Sequence, residues 1–230
     1  MMLEPLRQEV FEANLELVRQ GLVIYTFGNA SAISRQDGLV VIKPSGISYD
    51  TLKPADFVIT DLEGNSVEGK LRPSSDLATH LVLYRAFSGI GGVVHTHSGY
   101  ATAWAQAKRE IPCLGTPHAD YFHGPIPITA PMEPKEIEEE YEKNTGHVIV
   151  RRFAGLDPER IPAALVSSHG PFCWGPTTAA AAHTAAIVEE LARMAYYSVS
   201  LSPGVPPISQ SLLDKHFLRK HGPEAYYGQK

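Results

Sequence analysis

The chain has 230 residues, of which 43% are hydrophobic and 20% charged, enough apolar material to bury a full core in one α/β unit. The formal net charge of -5 shows no basic excess, which argues against a nucleic-acid partner, and no apolar run approaches the roughly 18 residues of a membrane helix. Cys113 and Cys173 fit neither a metal spacing nor a disulfide framework, and the first twenty residues lack a signal-peptide core, so a cytoplasmic protein is expected.

Leu3, Leu6, Val10, Ala13, Leu17 and Val18 fall at helical spacing, and Gly21 supplies a stop, which predicts a first helix over 3–20. Residues 25–34 alternate as a strand, with Gly28-Asn29 marking a kink or a close backbone approach. A strand over 39–43 is broken by Pro44-Ser45-Gly46, and 57–60 with 66–68 read as a hairpin around a Gly-containing loop. Pro73-Ser74-Ser75-Asp76 opens a second helix to Phe87, with Ser74 or Ser75 as its expected N-cap and Asp76 in its first turn. A strand over 93–97, a helix over 98–108, a long ordered loop with short strands over 111–131 and a short acidic helix over 134–143 follow. Strands are expected at 148–150 and 164–168, a long helix from a Thr177 cap to Tyr197, and a last helix over 209–221 ending at Gly222. The whole reads as a single domain, 1–230, of three-layer α/β/α architecture around a mixed, largely antiparallel sheet.

Two segments share one build. Gly92-Val93-Val94-His95-Thr96-His97-Ser98 is an apolar strand that ends in two histidines, and side-chain alternation sends His95 and His97 to the same side. Ala163 to Val166 is another apolar strand, delivering His169 into Gly170-Pro171. Three imidazoles leave an open position on a divalent metal, the catalytic rather than the structural zinc pattern. Lys43-Pro44-Ser45-Gly46 and Ser74-Ser75, with Asn29, pair small polar residues with backbone N–H groups able to cradle a phosphate, although a turn plus a helix cap explains both just as simply. Asp76 is either a dipole-complementing residue or a base or weak ligand beside the metal. Asp120, set between Ala119 and Tyr121, is a candidate base of raised pKa. His80 and His183 read as packing or surface residues, Trp104 and Trp174 as core, and Glu142 and His216 as surface.

With those residues, and with Gly115 to Phe122, Glu140-Tyr141-Glu142, Ser168 to Phe172, Leu213 to Gly222 and Ala225 to Gln229, the chain resembles the class II aldolase/adducin superfamily, and within it the ribulose-phosphate 4-epimerase branch, over essentially its whole length. Pro117 in place of an expected Thr and an added Lys230 are the departures. The resemblance implies a homotetramer with active sites at subunit interfaces and one Zn²⁺ per subunit on His95, His97 and His169, with Mn²⁺ or Co²⁺ as substitutes. It implies a phosphate pocket from Asn29, Lys43, Ser45, Gly46, Ser74 and Ser75. Asp120 and Tyr227 match an acid/base pair, Asp76 matches the position of a catalytic Glu in the related aldolases, and Thr116, Glu142 and His216 match auxiliary positions supplied by a neighbouring subunit.

The implied activity is interconversion of L-ribulose 5-phosphate and D-xylulose 5-phosphate. The C4 hydrogen of such a ketose is β to the carbonyl and not acidified, so inversion requires cleavage and remaking of C3–C4, with acid/base groups on opposite faces. An aldolase of the same fold, releasing its fragments, is the alternative enzyme, and a non-catalytic adducin-like interaction module the alternative of another class.

Overall fold

In the computed structural model, which describes residues 1–227, seven strands form one sheet in the order β4-β3-β2-β1-β5-β7-β6. The strands are β1 (Asn29–Ser34), β2 (Leu39–Ile42), β3 (Val58–Asp61), β4 (Ser66–Glu68), β5 (Gly92–His95), β6 (Ala163–Val166) and β7 (Gly170–Gly175). Every ladder between them is antiparallel. The parallel element of the expected mixed sheet is one isolated bridge, Ile128 to Leu165. The helices are α1 (Glu4–Arg19), α2 (Leu77–Ala86), α3 (Gly99–Gln106), α4 (Thr116–Ala119), α5 (Pro134–Glu138), α6 (Tyr141–Arg152), α7 (Thr178–Leu201) and α8 (Gln210–His221).

Period-two alternation on the central strands assigns the layers. On β1, Ala30 meets Asn14 of α1, whereas Asn29 and Ser31 meet Asp76, His80 and Tyr84 on and before α2. Helices α2 and α6 therefore cover one face, and α1, α3 and α7 the other. The main core fills both sides of β1, β5, β6 and β7, with Phe87, Phe153 and Trp174 mutually packed beneath α2 and α6. A second cluster sits under α1 against β2 and β3. Leu213 of helix α8 packs in a small separate cluster with Cys113 and Ala119 on the long loop.

Most elements fall where periodicity places them, with exceptions: the first strand begins at Asn29 rather than at 25, and a short helix, α4, stands inside the long loop. Residues 148–150 belong to helix α6 rather than to a strand. Thr145, Val148 and Ile149 are buried at helical spacing, and the short β-branched run that suggested a strand is the apolar stripe of that helix. The acidic helix stops at Glu138 and a new one begins at Tyr141. Strand β7 was not anticipated, because Gly170-Pro171 reads as a turn. Here it opens a strand, and the turn is the preceding Ser167-Ser168-His169, with Ser168 in the left-handed region at φ 63°. The cap of α2 is Asp76 rather than either serine, and no side chain caps the helix. The last residues of the C-terminal motif, 228–230, lie outside the described residues.

Gly146 lets α6 lie close along α2. A Cβ there would stand 2.6 Å from Val82 Cβ. Gly146→Ala is expected to destabilise the protein by about 1–3 kcal/mol through overpacking, read as a lowered denaturant midpoint with unchanged slope.

Candidate metal centre and phosphate pocket

The sheet register assembles the centre. Asn29 pairs with His95 across β1 and β5, and His95 with Phe172 across β5 and β7, so the three form one row on the α2 face. Gly28, at φ 78°, precedes that row because a Cβ would lie 3.0 Å from the His95 carbonyl oxygen. The His95 ring stacks on Phe172 at 4.1 Å and 14°, and its Nδ1 donates to the Pro171 carbonyl at 2.9 Å. A carbonyl only accepts, so the proton of the neutral ring is on Nδ1 and Nε2 offers a lone pair. His97, two residues on, turns its Nε2 to within 3.0 Å of His95 Nε2. His169, carried by the β6–β7 turn, brings its ring to 4.6 Å from His95 and 5.1 Å from His97.

One ligand nitrogen from each histidine lies within 4.8 Å of the others. Tetrahedral zinc with Zn–N of about 2.0–2.1 Å holds two nitrogens roughly 3.3 Å apart, so the trio fits a divalent ion with its remaining side toward the cavity. Burial and the neighbouring imidazoles lower the His97 pKa, and they push that of His169 down to about 3, which keeps both rings neutral and their lone pairs available. Asp76 completes the wall. Burial opposes its charge, but His95, His80 and a 2.7 Å hydrogen bond from Asn29 Nδ2 hold its carboxyl below the usual range.

The same cavity, of 360 Å³, is lined on its other side by Lys43, Pro44, Ser45, Gly46, Ser74 and Ser75. Two turns are stitched into one rim: Ser74 N–H donates to Lys43 O at 3.0 Å and Ser45 N–H to Arg72 O at 2.9 Å. Those two amides are thus used within the rim. Lys43 is 1% exposed, and among the described residues it has no carboxylate partner. Its ammonium donates to Ile47 O at 2.9 Å and lies over the Tyr49 ring at 4.7 Å. Burial lowers its pKa to about 8. A buried cation without a counter-ion, in a rim of serines, suits an incoming anion.

Glu142 lines this cavity within its own chain; α6 begins beside His169, where Gly146 lets it lie close along α2. Tyr141, to which the sequence assigned no role, lines it too. His80 is buried, donating or accepting at Ser31 Oγ through Nδ1 at 2.7 Å.

Thr116, Asp120, His216 and Tyr227 stand apart from that cavity, where α4 meets α8. Asp120 is gripped by His216 Nδ1 at 3.0 Å, by Arg219 at 2.9 and 3.0 Å, and by Lys220 at 3.5 Å. Burial works against its charge, but these partners lower its pKa, the reverse of the raised value its apolar sequence neighbours suggested. Tyr227 is 59% exposed, its ring within 4.7 Å of Arg219 and 4.6 Å of Lys220.

Residues 8–196 match the Class II Aldolase and Adducin N-terminal domain. The chain belongs to that family. It is 54% identical over 228 residues, covering 99% of this chain and 100% of the relative, to the L-ribulose-5-phosphate 4-epimerase UlaF of Salmonella paratyphi A, and equally to that of Salmonella typhi. Among solved structures it is similar to an L-fuculose 1-phosphate aldolase, with a TM-score of 0.78 at 24% identity over 92% of this chain and 94% of that one. The L-fuculose-1-phosphate aldolase of Thermus thermophilus superposes with a TM-score of 0.66 at 24% identity, covering 88% and 98% of the two chains. Both likenesses concern the fold.

Lys43→Met tests the rim. The folded pKa near 8 lies below the unfolded value of about 10.4, so the unfolded chain holds more protons between them and wild-type stability gains with rising pH in that window. In Lys43→Met that gain is expected to disappear, and any protection by added inorganic phosphate against denaturant is expected to fall with it, both read from denaturant midpoints between about pH 7 and 10.

Proposed function

We propose that this protein is an L-ribulose-5-phosphate 4-epimerase that interconverts its substrate with D-xylulose 5-phosphate through cleavage and re-formation of C3–C4. The observation that carries the reading is the convergence of three imidazoles and a buried, uncompensated lysine on one cavity. The full-length likeness to curated epimerases supports the choice of reaction.

His95, His97 and His169 would hold a divalent ion, zinc by the all-nitrogen donor set and an open side, with Mn²⁺ or Co²⁺ as substitutes. When bound, the ion supplies Lewis-acid stabilisation of the negative charge that grows on the carbonyl oxygen as C3–C4 breaks. Lys43, Ser45 and Ser74 hold the phosphate, and so retain the two-carbon aldehyde fragment while it turns its other face. Asn29 ties the two halves of the site, since its amide donates to both Ser74 Oγ and Asp76 Oδ2. Asp76 keeps a fixed negative charge beside the imidazoles, as a base or as a further ligand.

The C4 hydroxyl loses a proton as C3–C4 breaks and regains one on the opposite face, which calls for two groups. Asp120 and Tyr227 are that pair, with Thr116 and His216 beside Asp120. Because they lie together away from the cavity of their own chain, they act on the cavity of a neighbouring copy in a homotetramer. The two free, buried cysteines and the absence, among the described residues, of a helix long and apolar enough to cross a membrane accord with a cytoplasmic enzyme.

The direct test is a coupled assay for D-xylulose 5-phosphate before and after chelation and after Zn²⁺ is restored. Activity lost on chelation and recovered with zinc supports the reading; free two-carbon and three-carbon products identify an aldolase instead. Tyr227→Phe is expected to keep its zinc and lose at least about 100-fold in turnover, in the range of a removed acid/base group. Mixing inactive Tyr227→Phe with inactive His97→Gln under subunit exchange restores part of the activity if the site is shared between copies. No recovery from exchanged subunits counts against sharing.

A further inference from the structure

The three imidazoles are not held alike. His95 is fixed through Nδ1 by a backbone carbonyl and by stacking on Phe172. His169 sits in a three-residue turn whose middle residue, Ser168, is in a left-handed conformation, and Phe172 meets it only edge-on at 5.9 Å between centroids. Among the described residues the nearest partner of His169 Nδ1 is the Tyr141 hydroxyl, at 3.5 Å, a separation longer than an ordinary hydrogen bond. The two rings lie 6.1 Å apart at 36°.

Tyr141 is itself held firmly. It is the first residue of α6, and its carbonyl accepts from Thr145 Oγ1 at 2.9 Å. The next carbonyl, of Glu142, accepts from Thr79 Oγ1 of α2, and Gly146 allows the close α2–α6 approach. The tyrosine is thus anchored to a helix pair while its hydroxyl reaches the turn that carries the third imidazole.

We propose that Tyr141 is a positioning residue for the metal centre: its hydroxyl oxygen accepts the Nδ1 proton of His169 and leaves the Nε2 lone pair for the ion. The proposal rests on the three-histidine reading above. An outer hydrogen bond of this kind fixes tautomer and ring orientation, and its loss typically weakens metal binding roughly 10- to 100-fold. Phenylalanine keeps the ring and its packing, so Tyr141→Phe isolates the hydroxyl.

The test is a titration of metal-stripped full-length protein with Zn²⁺ against a chromophoric chelator, for wild type, Tyr141→Phe and His169→Gln, with Co²⁺ absorption spectra and apo melting curves alongside. The expected result for Tyr141→Phe is an unchanged apo melting temperature, a zinc Kd raised about 10- to 100-fold and an altered Co²⁺ visible band. A wild-type Kd and band in Tyr141→Phe, with His169→Gln weakened, overturns the role of the tyrosine. Wild-type zinc affinity in His169→Gln overturns the three-histidine centre itself.

Discussion

The antiparallel register of β1, β5 and β7 is the constraint on which the rest depends. It sets Asn29, His95 and Phe172 side by side at one end of the sheet, facing α2. A slip of one residue in either ladder would turn His95 toward α7 and bring Val94 into its place. The register also aligns the hairpin that carries His169, because β6 and β7 pair from Val166 and Gly170 outward. The centre is therefore a property of strand pairing, with loops supplying only the last residue or two. Asn29 extends it from the imidazoles to the serine rim by donating to both Asp76 and Ser74.

Electrostatics divides the molecule into two clusters of opposite character. In the cavity, burial lowers the pKa values of His97 and His169, which leaves imidazole lone pairs on one side, while the other side encloses the Lys43 ammonium without a carboxylate partner among the described residues. At α4 and α8 a single carboxylate, Asp120, is surrounded by His216, Arg219 and Lys220, with the Tyr227 ring against the two cations. Helix α8 contributes Leu213 to a small cluster of its own with Cys113 and Ala119. The distance of the Asp120 cluster from the cavity of its own chain is what motivates the proposed shared site.

Much of the cavity was legible because its residues are strung on short, strongly patterned segments. The i, i+2 histidines follow from strand alternation even though β5 ends at His95. The serine turns announce themselves by composition. The misread elements have physical causes of their own. Val148-Ile149-Val150 is β-branched by composition yet helical by its longer period, which a three-residue window cannot display. Pro171 lacks an N–H and reads as a breaker, but near the start of β7 its useful group is the carbonyl, which accepts from His95. The Asp120 environment is set by residues about a hundred positions away, so its immediate neighbours pointed the wrong way. Tyr141 went unassigned because only the packing of α6 on α2 brings it to His169.

The central claim is that C3–C4 breaks during turnover, and the ¹³C kinetic isotope effect at C3 of L-ribulose 5-phosphate tests it most directly. Cleavage predicts a normal effect at C3 comparable to that at C4, because both carbons share the breaking bond. An effect confined to C4, with none at C3, would contradict the account, since it would mean inversion by transfer of the C4 hydrogen alone.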